Sequence, residues 1–278
     1  MKRPKLEAFV NLALIIVAIA FVASLIANYV KKEATTGSRT PPIEIGTKIE
    51  VPGIDWSKSN ATLLLVLSTK CIFCTDSMPF YKNLVQETRG RTRFIALFQQ
   101  NESEARHYLK ENGVAIEDVR QVSPALLGVS GTPTLILTDS QGTVQDVWFG
   151  RVGSNVETLL LKRVSGEAEN DGVSLTPAEL REILAKKKPV VLLNIDERNV
   201  YQMEHINGAI NIPFDELETR MDNELKTSER VIIYEESPQK YAYAAFEILK
   251  GNGFKDVSVL RGGFQKWKAS APQSITGP

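Results

Sequence analysis

Short aliphatic runs alternate with helix-periodic polar stretches along this chain, and one longer apolar run stands apart from both. Residues 8–30 are apolar except for Asn11, Ser24, Asn28 and Tyr29. As a helix rising ~1.5 Å per residue, such a run crosses a ~30 Å hydrocarbon layer with some tilt. Residues 33–42 are rich in Thr, Gly, Ser and Pro without hydrophobic period, the pattern of a tether. Residues 62–67, 93–98, 134–138 and 143–149 read as strands. Leu63-Leu64-Leu65-Val66-Leu67 is unbroken, as expected of a central strand buried on both faces. Between these runs, residues 75–87, 102–112, 123–129 and 154–163 carry helical patterns. Pro79 is expected to kink the first, Gly113 to end the second and Ser154 to cap the last.

A small, acidic stretch at 165–172 reads as a linker. Thr176-Pro177-Ala178-Glu179 is a helix start, with Thr at the cap, Pro at the first position and Glu at the third. Strands are expected at 190–195, 231–234 and 257–260 and a helix at 241–251. Strands alternating with helices predict an α/β chain whose second half is a small parallel domain. The predicted organisation is a cytoplasmic stub and anchor at 1–32, a tether at 33–42, a domain at 43–164, a linker at 165–172, a second domain at 173–270 and a frayed tail at 271–278.

Composition sharpens this in two ways. Lys+Arg and Asp+Glu both total 33 in 278 residues, so no net charge draws the chain to nucleic acid. Lys2, Arg3 and Lys5 precede the long apolar run and Lys31 and Lys32 follow it, which favours a cytoplasmic N-terminus. A cleaved signal peptide has a shorter apolar region with a small-x-small site after it, whereas Ala18-Ile19-Ala20 lies mid-span. The expectation is a single-pass anchor through the lipid bilayer at residues 8–30. It places the rest of the chain on the periplasmic side of a bacterial cytoplasmic membrane, where disulfides persist.

The chemistry concentrates at Cys71-Ile72-Phe73-Cys74, which holds both cysteines of the chain. A strand leads in and a helix leads out. A sulfur at a helix N-terminus is held as thiolate by unpaired N–H groups and the dipole. Lys70 places a cation beside it. Zinc needs two more ligands, and only His107 and His205 remain, far apart, so no metal is expected. A purely structural disulfide closing so short a loop removes little chain entropy. Redox exchange is the favoured reading, with Cys71 attacking and Cys74 resolving.

With these motifs in view, residues 43–164 resemble a thioredoxin of the membrane-tethered, TlpA-like or redoxin type. The resemblance rests on the Cys71–Cys74 motif after a buried strand, Pro79 five residues on, Gly131-Thr132-Pro133-Thr134 opening a strand, and the turn at 139–142. It implies a mixed central sheet with flanking helices, a cis-Pro133 facing Cys71, and a Thr132 backbone that pairs with an extended substrate. Lys70 replaces the family's Trp, and Leu65 stands where thioredoxins often bury a proton-accepting acid. A peroxidase pattern is not met, since Ser68 and Leu64 occupy its Thr and Pro positions.

The second domain resembles a rhodanese, through residues 193–198, Glu204-His205-Ile206-Asn207-Gly208-Ala209, Ile212-Pro213, and Gly262-Gly263-Phe264 with Trp267. Where rhodaneses carry the persulfide cysteine this chain has Glu235, and Pro238 and Lys240 take the loop's Gly and Arg places. The carboxylate is expected to be solvated and to repel an anion, so no sulfur transfer is expected. His205 is expected to serve structure. The sequence thus predicts a membrane-tethered thiol-disulfide oxidoreductase without cofactor, acting on thiols and disulfides of exported proteins together with a redox partner protein. Its second domain would be an inactive docking module. The competing reading is a binding or assembly protein that works through that second domain.

Overall fold

The computed structural model describes residues 42–166, 172–236, 241–270 and 275–276. The predicted anchor at 8–30, nearly all of the tether, and Pro238 and Lys240 lie outside these residues. Among the described residues no helix is long and apolar enough to cross a membrane.

The first half builds on strand β1 (Ala61–Leu67), followed by helices α1 (Ile72–Asp76) and α2 (Met78–Glu87). The single kinked helix expected at 75–87 is two helices meeting at Ser77, with Pro79 in the first turn of the second. There proline's missing N–H costs no hydrogen bond. Then come β2 (Arg93–Phe98), α3 (Glu102–Glu111), β3 (Asp118–Gln121), β4 (Thr134–Asp139), β5 (Val144–Phe149) and α4 (Ser154–Val164). The expected helical turn after β3 is a short 3₁₀ segment, Pro124–Leu127, closed by Gly128 at φ +67°.

The sheet order is β3-β2-β1-β4-β5, parallel across its first three strands and antiparallel from β1 to β4 and β4 to β5. Strand β3, polar and four residues long, has no hydrophobic run to announce it. Alternation sorts β1 between two cores. Leu63, Leu65 and Leu67 enter one, and Leu64 and Val66 enter another that Ile43, Ile49 and Val51 complete.

The second half contains β6 (Ser174–Leu175), α5 (Pro177–Ala185), β7 (Val191–Asn194), α6 (Arg198–Met203), β8 (His205–Ile206), β9 (Ile210–Asn211), α7 (Leu217–Glu224), β10 (Arg230–Tyr234), α8 (Ala242–Gly251), β11 (Asp256–Leu260) and α9 (Gly263–Ser270). Its five-stranded sheet is wholly parallel, in the order β6-β11-β10-β7-β9. Helix α5 starts with the expected capping box: Thr176 accepts the Glu179 N–H, and Glu179 reaches back to the Thr176 N–H. Residues 275–276, expected to be frayed, pair antiparallel with β8.

One apolar core runs through both halves. It includes Leu65, Leu135, Trp148 and Leu160 from the first and Leu193, Ile233, Tyr243 and Phe246 from the second. Trp148 is 1% exposed, and its ring centroid lies 6.3 Å from that of Tyr243. Buried Asp146 on β5 lies 3.4 Å from Arg163 on α4 and 3.8 Å from Arg261 beyond β11.

At α4 the expected cap is corrected. Ser154 is the first helical residue, Gly153 holds the cap position, and no local side chain caps the helix. Glu247 of α8 does so from the other half: its Oε1 accepts the Val156 N–H at 2.8 Å and its Oε2 accepts from Asn155 Nδ2 at 2.7 Å. A capping oxygen at a helix start is worth ~1 kcal/mol, and nothing in that principle requires it to be near in sequence.

Candidate functional site

Strand β1 delivers the chain to Ser68, whose carbonyl accepts the Cys71 N–H at 3.2 Å and whose hydroxyl accepts the Lys70 N–H at 3.2 Å. This tight turn makes Cys71 the cap of α1. Its sulfur accepts the Cys74 N–H at 3.3 Å, and its S–H donates to the Thr132 carbonyl at 3.2 Å. These two contacts bring Cys71, Cys74 and the Thr132–Pro133 segment together, and the Thr132–Pro133 peptide is cis. Both cysteines are free thiols; Cys71 is partly exposed and Cys74 fully buried.

This difference in burial separates their acidities. Burial pushes the Cys71 thiol up, but hydrogen bonds from the Cys74 and Thr132 side chains and from the Cys74 and Phe73 backbone outweigh it, leaving Cys71 below its ordinary 9.0. Burial, then the hydrogen bond with Cys71, pushes Cys74 up to about 12. Cys71 therefore gives up its proton more readily than Cys74.

Lys70 is exposed, so water screens its ammonium. Leu65 is buried in apolar surroundings. Two tyrosines that the sequence reading did not single out stand beside the pair. Tyr108 on α3 shares a 2.9 Å hydrogen bond with Thr75 of α1, and Tyr81 is buried on α2. Both hydroxyls are pushed up by burial first and by the neighbouring sulfurs after it. They sit seven and thirty-four residues past Cys74, on other helices, where no local pattern signals the contact. Ile72 and Phe73 are 69% and 55% exposed, so an apolar rim adjoins Cys71.

The second half carries its own cradle at the start of α8. Glu235, straight after β10, is 5% exposed, and its Oε1 accepts the N–H groups of Tyr241 at 2.8 Å and Ala242 at 2.9 Å. This corrects the expected solvated carboxylate. A helix start offers unpaired N–H groups and a positive dipole end, and the chain's own side chain satisfies both. Gly263 closes the other side at φ +59°: a Cβ there would stand 2.3 Å from the Glu235 carbonyl oxygen. That carbonyl accepts the Phe264 N–H at 2.9 Å. Next to it, burial raises the carboxyls of Asp196 and Glu236, and Glu236 is raised further by Asp196 and Glu204. His205 shares a 2.9 Å hydrogen bond between Nδ1 and the Tyr201 carbonyl and stacks on the Tyr201 ring at 4.1 Å. Among the described residues no group of three or more His, Cys, Asp or Glu is placed to hold a metal ion.

Comparison with known proteins bears on this second half. The family model of the rhodanese-like domain matches residues 176–270. The YqhL protein of Bacillus subtilis (strain 168) is 35% identical over 94 residues, 34% of this chain and 71% of that protein. The thiosulfate sulfurtransferase GlpE of Coxiella burnetii is 32% identical over 94 residues, 33% of this chain and 83% of that enzyme. Among solved structures, the rhodanese-like domain of the Alr3790 protein of Anabaena sp. is 27% identical, covers 38% of this chain and 79% of its own, and has a TM-score of 0.35.

Proposed function

Because this chain belongs to the rhodanese-like family through residues 176–270, yet has Glu235 where that family's sulfur-carrying cysteine stands, we propose that its chemistry lies at Cys71 and Cys74. The proposed activity is thiol-disulfide exchange by a thioredoxin-like domain at 43–164. The mixed five-stranded sheet and the contact between Cys71 Sγ and Thr132 O support that reading of the fold. The observation that carries the function is the asymmetry of the sulfurs, with Cys71 lowered at the surface and Cys74 raised beneath it.

In the reductive direction the Cys71 thiolate attacks one sulfur of a substrate disulfide. An S–S bond forms to Cys71 and the substrate's other sulfur leaves as thiolate. Cys74 then gives up its proton to that leaving sulfur and attacks Cys71. The second substrate thiolate is released and takes a proton from water. The chain is left with a Cys71–Cys74 disulfide, which a partner dithiol reduces. The oxidative direction is the same sequence reversed. Leu65 offers no acid to accept the Cys74 proton, so the leaving thiolate is the natural acceptor.

We read residues 8–30 as the bilayer anchor and the described residues as extracytoplasmic, facing exported proteins and a redox partner protein. Thiosulfate sulfurtransferase activity, which the name of GlpE states for that enzyme, is not part of this reading: no cysteine follows Cys74, and a carboxylate fills the cradle at α8. Insulin reduction and refolding of reduced ribonuclease test the proposal. Turnover by the wild type in one assay and none by Cys71→Ser is expected. Equal rates for the two proteins would retire it.

A further inference from the structure

The segment that joins β5 to α4 contacts both the Thr132–Pro133 segment and the helix that carries Cys74, and it is held by the rhodanese-like domain. Gly150 donates its N–H to the Pro133 carbonyl at 2.8 Å. Arg151 lies 3.8 Å from Asp76 at the end of the Cys71 helix. Two residues on, Gly153 lies so close to α8 that a Cβ there would stand 2.7 Å from the carboxyl carbon of Glu247. The same carboxylate takes the Val156 N–H and the Asn155 amide. Glu157 feels Arg151 and Glu247 in opposite senses after burial, which places the three side chains in one neighbourhood. Helix α8 owes its own start to Glu235, so the residue in place of the persulfide cysteine anchors the helix that carries Glu247.

We propose that Glu247 is a positioning residue of the Cys71 centre: by fixing residues 150–156 from the second domain, it holds the Thr132–Pro133 segment against the Cys71 sulfur. The proposal rests on reading Cys71 and Cys74 as the reacting pair. It gives the rhodanese-like domain a part in the redox site in place of a detached docking role. The physical case is that the strap has no cap of its own. With Gly at the cap position and no local side-chain acceptor, the orientation of α4's first turn is set by a carboxylate from elsewhere.

The test uses the full-length reduced chain and follows iodoacetamide alkylation of Cys71 across pH, with adducts mapped by mass. Glu247→Ala and Gly153→Ala disturb one contact from opposite sides. Each is expected to move the Cys71 midpoint up toward the ordinary 9.0 and to slow alkylation near neutral pH by about threefold or more. Glu247→Gln, which keeps an acceptor for Val156, is expected to retain the wild-type profile. Profiles that superimpose on wild type while melting temperatures fall would overturn the proposal, since a merely structural cap moves stability alone. If Glu247→Ala shows no cooperative melt, Asn155→Ala removes one of the two contacts and is read the same way. A wild type inactive in both exchange assays, but with a Cys71 profile that still moves in the variants, would sink the oxidoreductase reading and leave the positioning role standing.

Discussion

Glu235 accepts the Ala242 backbone N–H at 2.9 Å, so a buried carboxylate of the chain itself occupies the start of α8. Removing it leaves the N–H groups of Tyr241 and Ala242 without that acceptor. Glu235→Ala is expected to cost about 1–3 kcal/mol, the range for orphaned buried donors, and Glu235→Gln less. Urea unfolding followed by circular dichroism checks this. A midpoint for Glu235→Ala within error of wild type would show the cap to be idle.

Gly263 faces the same carbonyl that receives Phe264. At φ +59°, with a Cβ only 2.3 Å from the Glu235 carbonyl oxygen, alanine meets both backbone strain and backbone collision. The strain alone is worth roughly 1–3 kcal/mol. Gly263→Ala is therefore expected to lower the urea midpoint by more than Gly251→Ala, a helical glycine with nothing within 4 Å of its Cβ. Equal effects would count against the clash.

The two thiols titrate apart. Iodoacetamide is expected to label Cys71 with a midpoint below 9.0 and to leave Cys74 unlabelled until the pH nears 12 or the fold opens. Stability follows with a definite sign. The folded pKa of Cys74 is raised, so its contribution is fully present below about 9.0 and is lost as pH rises toward 12. The reduced wild type should lose melting temperature faster than Cys74→Ala over that window. Parallel curves would contradict the shift.

Trp148 and Tyr243 bring the two halves into one core. Trp148→Ala is expected to destabilise by about 3–5 kcal/mol and to lower the melting of both halves together. Amide exchange resolved along the chain measures this. Protection lost only in residues 42–166 would mean that the halves unfold separately.

The elements were legible where the chain states them locally. The aliphatic density of β1, β2 and β10, the Thr176–Glu179 box and the Cys71–Cys74 spacing each place one element from adjacent residues. The short β3, β6 and β9 were not legible, because two to four residues paired into a sheet carry no period of their own. Tyr81 and Tyr108 were missed for a related reason: a side chain that touches the motif from another helix leaves no trace in the motif.

The order of residues is enough to establish the covalent inventory: two sulfurs after a buried strand, and a rhodanese-like second half with a carboxylate where its sulfur would be. Which of these groups meet, and how deeply each is buried, follows only from packing. Spacing cannot tell whether Glu235 is solvated or buried, because the N–H groups that hold it lie six and seven residues on. Nor can it show that α4 takes its cap from Glu247, some ninety residues away. Hydrogen bonds depend on where atoms meet in space, and for Glu247 and the start of α4 that meeting exists only once the two halves have packed.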